Sequence, residues 1–405
     1  MTSPRAVGDS GPAVLDLRDP HFWTEPLPLL RAARERGRTA LTAGGEPVLL
    51  RADDVEFAHA DPRFSNPGVA NLERLGISDG PFYEWRKRTL AAIEGEGHRR
   101  LRSFIGRLFS PRQTARLREA FRAHANSVLD RAAERETLDI VTQYASELPL
   151  WGICHFLGIP DTDRERIGAF MVGTEEGFSA AMTPEIRERA ERSIEALTEY
   201  ARKLIRRCAE RPGPDALSEL VASRRHADGV SDEDFLALIV NLIGGAVGST
   251  RSAISNSVFL LLSHPEQARL VRLDPERARP AVEECLRLSP PFRIGRRVAV
   301  DSVTACGLDL SAGDSVLIWR MAANRDPERF ERPDEFDIER PIRPHASFGH
   351  GAHFCLGQAL ARVEVQEALT TLLTRFPRAE LITREPKRIP FTMDEQIASL
   401  SVRLI

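Results

Sequence analysis

The amino-acid sequence predicts a mainly α-helical fold with small β-sheets. Helical apolar periodicity covers most of the chain, whereas segments with the pattern of strands are few and short. An apolar run continues from Phe235 to Leu262 behind Ser231, a candidate N-cap, and predicts one helix about 45 Å long at 1.5 Å per residue. Because this helix is apolar nearly all round, we expect it at the centre of the protein.

Apolar spacing places six helices and four strands along the chain. The predicted helices are Pro26–Arg36, His98–Phe109, Arg112–Ala133, Pro184–Glu210, Asp232–Ser263 and Pro280–Leu288. The predicted strands are Pro47–Arg51, Arg297–Val300, Ser315–Trp319 and Ala398–Ile405. Residues 1–15 are rich in Gly, Pro and Ser and predict a flexible N-terminal tail, so we expect the folded domain to cover residues 16–405.

Charge and hydropathy narrow the classes of function. The 405 residues include 56 Lys and Arg against 59 Asp and Glu, and no segment is uniformly basic. This balance argues against nucleic acid or a membrane as the partner and leaves small molecules or proteins. No window approaches the roughly 20 uninterrupted apolar residues of a membrane span, and the start MTSPRAVGDSGP lacks the apolar core of a signal peptide. We therefore expect a cytoplasmic protein.

The five cysteines lie far apart and form no CxxC pair, which argues against a disulfide framework or a zinc knuckle. Four of them have sequence contexts typical of small buried hydrophobes: Cys154, Cys208, Cys285 and Cys306. Cys355 is different, because it lies in the segment FGHGAHFCLG at residues 348–357.

The segment around Cys355 has the properties of a metal-binding loop. Gly349 and Gly351 permit backbone conformations closed to other residues, so a tight loop can turn its N–H groups toward one sulfur. Helical periodicity follows Cys355 and places it at a helix N-terminus, which favours the thiolate over the thiol. Gly357 would let this helix approach a flat cofactor closely. The pattern predicts an iron-bound thiolate; the alternative is a glycine-rich turn with an incidental cysteine.

This segment resembles the heme-binding signature of the cytochrome P-450 family. The signature reads Phe, two residues, Gly, one residue, His or Arg, one residue, Cys, one residue, Gly, and it matches at Phe348, Gly351, His353, Cys355 and Gly357. The resemblance implies one triangular, mostly helical domain with heme b (iron protoporphyrin IX) between the central helix and the cysteine-bearing helix. It implies a heme-thiolate monooxygenase that oxidises a small organic molecule, such as a secondary metabolite, with dioxygen and external electrons.

Two further groups of residues match the family. Glu284 and Arg287 lie three apart on one helix face, and the resemblance implies that Arg340 joins them in a structural cluster supporting the cysteine loop. Heme carries two propionates, which need paired donors when buried. By resemblance these donors are His98, Arg102, Arg297 and His353.

The central helix departs from the family pattern, which is Ala or Gly, Gly, any residue, Asp or Glu, Thr, then Thr or Ser. This chain has GAVGST at residues 245–250, so Gly248 replaces the acid, Ser249 replaces the first Thr, and Thr250 follows. In the family the acid and the alcohol relay protons to dioxygen. The Ser249 hydroxyl could bond a preceding carbonyl or hold a water. Each glycine costs a helix about 1 kcal/mol against Ala, which predicts a deformed or closely approached segment.

The missing acid leaves several reactions open. Protons can arrive by a water chain or from the substrate in an ordinary hydroxylation. Alternatively, the enzyme performs one-electron chemistry such as oxidative coupling or cyclisation, or uses peroxide. A function of another class, a non-catalytic heme sensor, also stays open.

The sequence also gives expectations for the residues that contact the substrate and for the redox partner. Arg293 lies where the family often has an apolar residue over the heme; it either donates to a carboxylate or other polar acceptor of the substrate, or it pairs with a protein acid or points to solvent. Further residues expected to line the substrate site are Phe292, Ile294, Val247, Ile243, Phe82 and Phe178. Electrons are expected from a ferredoxin and a ferredoxin reductase, with the ferredoxin docking on Arg99, Arg100 and Arg107.

Overall fold

The computed structural model describes residues 11–179, 182–224 and 229–405. Its helices are α1 (Pro20–Thr24), α2 (Pro26–Arg36), α3 (Ala52–Ala60), α4 (Ala70–Arg74), α5 (Pro81–Lys87), α6 (Gly95–Gly106), α7 (Pro111–Ala115), α8 (Arg118–Ala133), α9 (Glu147–Phe156), α10 (Arg164–Glu176), α11 (Pro184–Glu210), α12 (Ala216–Arg224), α13 (Asp232–Gly244), α14 (Gly248–Ser263), α15 (Pro265–Leu273), α16 (Ala278–Leu288), α17 (Arg320–Ala323) and α18 (Gln358–Arg375). Its strands are β1 (Val14–Leu15), β2 (Thr39–Thr42), β3 (Pro47–Leu49), β4 (Phe64–Ser65), β5 (Thr137–Asp139), β6 (Ile294–Ala299), β7 (Val303–Ala305), β8 (Leu308–Leu310), β9 (Ser315–Trp319), β10 (Glu380–Leu381) and β11 (Ser401–Arg403).

The strands form one larger sheet and two small ones. The six-stranded sheet has the order β1-β2-β3-β9-β6-β4, in which β1–β2 and β3–β9 are parallel and the other pairs antiparallel. The two small sheets have the orders β10-β11-β5 and β7-β8. The fold class predicted from the sequence, mainly α with small sheets, is confirmed.

The central helical segment crosses the protein and contributes to both large apolar cores. Phe235 of α13 belongs to one core and Ile254 of α14 to the other. The helix begins as expected, because the Ser231 hydroxyl accepts a hydrogen bond from the Asp234 N–H at 3.0 Å. Over Asp232–Ser263 this is the one segment of the described chain that is long and apolar enough to cross a membrane, and 61% of its apolar window is buried inside the protein.

The prediction of one unbroken central helix is wrong, because regular helix is absent at residues 245–247. Glycine is a poor helix former, and three glycines fall at Gly244, Gly245 and Gly248. The Thr250 hydroxyl donates to the carbonyl of Ala246 at 3.0 Å and so provides a side-chain partner for a carbonyl in the opened segment.

Other predicted boundaries vary in accuracy. The bounds of α2, α11 and β9 agree with the prediction. The predicted helix Arg112–Ala133 is divided into α7 and α8. The predicted tail is too long at its C-terminal end, because Val14 and Leu15 pair with Leu41 and Thr42 in the large sheet. Residues 1–10 of the predicted tail lie outside the described residues.

Candidate functional site

The loop before α18 holds Cys355 in a fixed backbone frame. Gly349 and Gly351 have φ of 70° and 67°, the left-handed region that glycine adopts without strain. The Cys355 N–H donates to the carbonyl of Phe348 at 2.9 Å and closes the loop. A Cβ on Gly351 would collide with the carbonyl oxygen of His59 in α3, so this glycine also permits close packing of the loop on α3.

The Cys355 side chain is set apart from the other cysteines by its exposure. Cys154, Cys208 and Cys285 are buried and Cys306 is half-buried, whereas Cys355 is accessible to solvent. Desolvation by the surrounding protein nevertheless raises the pKa of the Cys355 thiol. The expected preference for the thiolate is therefore wrong for the protein alone: hydrogen bonds from the helix N-terminus and nearby guanidinium groups lower the pKa, but less than desolvation raises it. A bound metal ion replaces this proton.

The helix that follows the loop, α18, is joined to α16 by a largely buried ion pair that sequence patterns did not predict. Arg362 of α18 donates to both carboxylate oxygens of Glu283, at 2.5 and 2.9 Å. Its guanidinium carbon lies 4.3 Å from the centre of the Phe348 ring. Burial raises the pKa of Glu283, but hydrogen bonds from His345 and Arg362 outweigh it and lower that pKa to about 2.

The predicted cluster of Glu284, Arg287 and Arg340 is present. Arg287 donates to both oxygens of Glu284 at 2.7 and 2.8 Å, and Arg340 donates to the same carboxylate at 3.0 Å. Asn324 connects the cluster to the cysteine loop: its amide donates to the Arg287 carbonyl at 3.0 Å and to the Ser347 hydroxyl at 2.9 Å.

The structure also brings the four predicted propionate donors into one region. The rings of His98 and His353 lie 4.2 Å apart, and Arg102 donates to the carbonyl of the residue before Cys355. Glu94 links this group to Arg297. Its carboxylate lies 2.9 Å from His353 Nε2 and accepts a hydrogen bond from the N–H of Asn66. The side-chain oxygen of Asn66 in turn accepts from Arg297.

The structure adds His59 and Arg320 to the four predicted donors. We call these six residues the cationic region, after its three arginines Arg102, Arg297 and Arg320. Burial lowers the pKa of His59 well below its usual value, and the charges of Arg297 and Arg320 lower it further. Burial also lowers the pKa of each of these two arginines to about 10.

In the cationic region three buried polar atoms have no hydrogen-bond partner among the described residues: His59 Nε2, His98 Nε2 and Arg320 Nε. His59 Nδ1 donates to the carbonyl of Val55, so His59 Nε2 is an acceptor, whereas Arg320 Nε is a donor and His98 Nε2 can be one. Burying such donors and charges without partners is costly, so a group that supplies two carboxylates fits His98 and the arginines of this region.

Comparison with known proteins decides the family. A family model described as Cytochrome P450 matches residues 278–402. The chain is 33% identical over 408 residues to nocardicin C N-oxygenase of Nocardia uniformis subsp. tsuyamanensis, covering 98% of this chain and 97% of that protein. The chain belongs to the cytochrome P450 family. It is also 36% identical over 343 residues to mycinamicin IV hydroxylase/epoxidase of Micromonospora griseorubida, covering 82% of this chain and 83% of that protein.

Solved structures agree on the fold of this P450. The crystal structure of CalO2 superposes with a TM-score of 0.91 at 28% identity, covering 97% of this chain and 99% of that chain. P450 enzymes are monooxygenase oxidoreductases. The protein is therefore an enzyme, and the alternative of a non-catalytic heme sensor is rejected. The family implies a heme iron, and both the Cys355 loop and the cationic region fit such a group.

At the opened turn of the central helix, an acid from another helix lies beside Gly248, the position where the family's acid is missing. Gly248 begins α14 after the opened turn, and the Glu175 carboxylate of α10 packs directly against it. Arg251 donates to Glu175 Oε2 at 2.8 Å. The sequence did not predict Glu175, because no local pattern links α10 to this turn.

The structure contradicts a substrate role for Arg293 and supports the alternative of a protein acid as partner. Arg293 is fully buried and forms an ion pair with Glu395 at 3.1 Å. It donates further to carbonyl oxygens of Trp23, Thr392 and Ile389. Its donors therefore belong to the protein interior, and none is available to a ligand without breaking this network.

The residues expected to line the substrate site divide into two groups. Ile243 is wholly buried in the apolar core, and its lining role stays a prediction. Val247 is 6% exposed, whereas Phe292 is 44% exposed. The rings of Phe82 and Phe178 lie 5.5 Å apart, so these two distant segments are in contact. Ile294, at the start of β6, is buried.

Proposed function

We propose that this P450 is a cytoplasmic monooxygenase that oxidises a small organic molecule, such as a secondary metabolite, with Cys355 as the thiolate ligand of heme b. The observation that carries the proposal is the accessible Cys355 sulfur on a rigid loop near a buried cationic region. The named activities of two relatives, a hydroxylase/epoxidase and an N-oxygenase, support oxygen insertion.

The residues around Cys355 have separable roles in the proposal. Phe348, Gly349 and Gly357 shape the loop; a Cβ on Gly357 would meet no protein atom within 4 Å, so this position permits close approach of a flat ring. The bound heme supplies dioxygen activation. The Glu284 cluster and the Glu283–Arg362 ion pair hold the loop in place.

The propionate donors act as anchors. Burial lowers the pKa of His98 to about 4, with contributions from the charges of His353 and Arg102, so this ring is neutral at pH 7 and offers one N–H. Arg102 and Arg297 supply the positive charge. Together with His353 they orient the cofactor through charge-assisted hydrogen bonds.

The opened turn between α13 and α14 forms the oxygen side of the proposed site. Thr250 keeps the turn open through its bond to Ala246. Ser249, next to Gly248, supplies the hydroxyl that holds a water or passes a proton. Val247 and Phe292 complete the lining that contacts the substrate.

Electrons enter from a ferredoxin that is reduced by its reductase. Arg99, Arg100 and Arg107 are exposed on and just after α6, the helix that also carries His98 and Arg102. An acidic partner docked there would lie close to the cofactor edge, and complementary charge would accelerate its association.

One specific observation favours a second reaction type. Gly248 removes the acid that usually supplies protons from this helix, which suits oxidative coupling or cyclisation. The two reactions differ in the fate of oxygen, since only oxygen insertion retains an oxygen atom in the product.

The proposal is tested with the holoenzyme, a ferredoxin, its reductase and isotope-labelled dioxygen. Compounds that shift the heme spin state are first selected by absorbance titration and then turned over. A product heavier by one labelled oxygen atom is expected. A product that has lost two hydrogens without gaining oxygen would replace oxygen insertion with coupling.

A further inference from the structure

The carboxylate of Glu175 occupies the space that a side chain at position 248 would need. A Cβ on Gly248 would lie 2.7 Å from Glu175 Oε1 and 2.8 Å from its Cδ, distances that real Cβ atoms essentially never show. Glu175 comes from the last turn of α10, whereas Gly248 opens α14. Two distant elements therefore place one carboxylate at the position where family members begin an acidic side chain.

Arg251 fixes the direction of this carboxylate. Its Nη2 donates to Glu175 Oε2 at 2.8 Å, and the side chains are only 22% and 17% exposed for Glu175 and Arg251. The ion pair uses Oε2, so Oε1, the oxygen nearest to the Gly248 Cβ position, lies outside it. Arg251 is on α14, the helix that Gly248 begins. Its bond to Glu175 therefore holds the carboxylate with Oε1 toward the opened turn.

A second carboxyl group, Asp394, lies within electrostatic reach. Burial, together with the negative charge of Glu175, raises the pKa of Asp394 to about 6, against the opposing effects of Gln396, Arg251 and Arg293. Its backbone forms an antiparallel bridge with Phe292, an exposed residue of the proposed substrate lining. Asp394 and Glu175 are therefore close enough for the charge of Glu175 to affect the pKa of Asp394.

We propose that Glu175 is the proton-relay acid of this P450 and substitutes, from α10, for the acid that the central helix lacks at Gly248. The inference rests on the proposed oxygenase function and deepens it. Glu175 Oε1 passes a proton to water or to the Ser249 hydroxyl in the opened turn. Glu175, which is partly exposed, regains its proton from solvent, so its protonation state is the same at the start and the end of the cycle.

The placement is tested by a stability cycle that needs no turnover. Gly248→Ala is made in the wild-type protein and in Glu175→Ala, and the thermal midpoint of each holoprotein is measured. In the wild type the new Cβ must displace the Glu175 carboxylate from its bond to Arg251, whereas in Glu175→Ala nothing has to move. The change in midpoint caused by Gly248→Ala should therefore be less favourable in the wild type than in Glu175→Ala. Equal changes in both backgrounds would overturn the placement.

The relay role is tested by cyanide binding to the ferric holoenzyme, followed by absorbance. Hydrogen cyanide is protonated at neutral pH and binds iron as the anion, so a base beside the iron accepts its proton. Glu175→Gln keeps the size and a bond to Arg251 but cannot accept the proton, and it should lower the association rate roughly tenfold or more. Glu176→Gln, which changes an acid paired with Arg189 instead, should have no effect. Carbon monoxide, which binds without proton transfer, should associate with both variants at the wild-type rate.

A rescue variant separates the relay from a structural effect. Glu175→Ala combined with Gly248→Glu returns an acid to the family position in the space vacated, and cyanide association should recover. Wild-type cyanide rates in Glu175→Gln, or a double variant as slow as Glu175→Ala, would overturn the relay. Cyanide binding needs heme but neither substrate nor an electron donor, so a failed relay test leaves the proposed oxygenase function intact. The proposed function itself fails if the holoprotein lacks thiolate ligation.

Discussion

Arg362 and Glu283 form a two-point ion pair that ties the cysteine-bearing helix to α16, with contacts of 2.5 and 2.9 Å. The same guanidinium packs on Phe348, the first residue of the loop around Cys355. Position of the sulfur thus depends on a contact between two helices that are far apart in sequence, in addition to the loop itself.

Removing one partner of this pair should destabilise the protein. Glu283→Ala leaves Arg362 and His345 without their acid, and breaking a buried pair in this way costs about 2–4 kcal/mol. Chemical denaturation of the holoenzyme measures the loss. The control is Glu199→Ala, which removes a surface pair with Lys203 and should change stability by less than about 0.5 kcal/mol.

The Glu283 pair should also make stability depend on pH. Its folded-state pKa of about 2 lies below the unfolded value of roughly 4.3, so its contribution is present above that unfolded value and is lost as pH falls through the folded one. The difference in unfolding midpoint between wild type and Glu283→Gln should therefore be constant near pH 7 and shrink below about pH 4. A difference that grows on acidification would contradict this assignment.

Arg293 should be essential for the stability of the protein and should have no effect on substrate affinity. Arg293→Met removes a fully buried cation from Glu395, for an expected loss of about 3–5 kcal/mol. Arg293→Met/Glu395→Gln should recover part of that loss, because the buried charge of Glu395 is removed, while Arg388, the other partner of Glu395, is 23% exposed and keeps contact with water. The Kd of the folded variant holoprotein for a ligand that shifts the heme spin state should equal that of the wild type. A selective loss of affinity for carboxylate ligands would support the substrate role instead.

The propionate assignment predicts faster loss of heme. Arg297→Leu removes one charge-assisted donor and should raise the heme dissociation rate about tenfold, measured by transfer to apomyoglobin. Arg99→Leu changes an exposed arginine near the same region and serves as the control. Equal rates for the two variants would remove Arg297 from the anchor.

Local chemistry explains what the sequence predicted well. The Ser231 cap and the bounds of Pro184–Glu210 depend on hydrogen bonds and periodicity within a few residues. The glycines of the central helix predicted deformation, and the helix is in fact interrupted there. The signature around Cys355 predicted the family correctly, because it combines several residues of distinct chemistry in one short loop.

Contacts between distant segments explain what the sequence could not predict. Arg293 stands just before a strand and gives no local sign that Glu395 will neutralise it. Glu175 lies in α10, an ordinary polar helix that was not predicted, and its meaning depends on the opened turn at Gly248. His59 and Arg320 join the cationic region only through the packing of α3 and α17.

The measurement that tests the central claim most directly is the absorption spectrum of the reduced holoprotein with carbon monoxide. Ligation by the Cys355 thiolate predicts the strongly red-shifted band of a heme-thiolate protein, and Cys355→Ser should abolish it while Cys285→Ser, which alters a buried cysteine, should not. A wild-type spectrum without that band, or a band that survives in Cys355→Ser, would contradict the account.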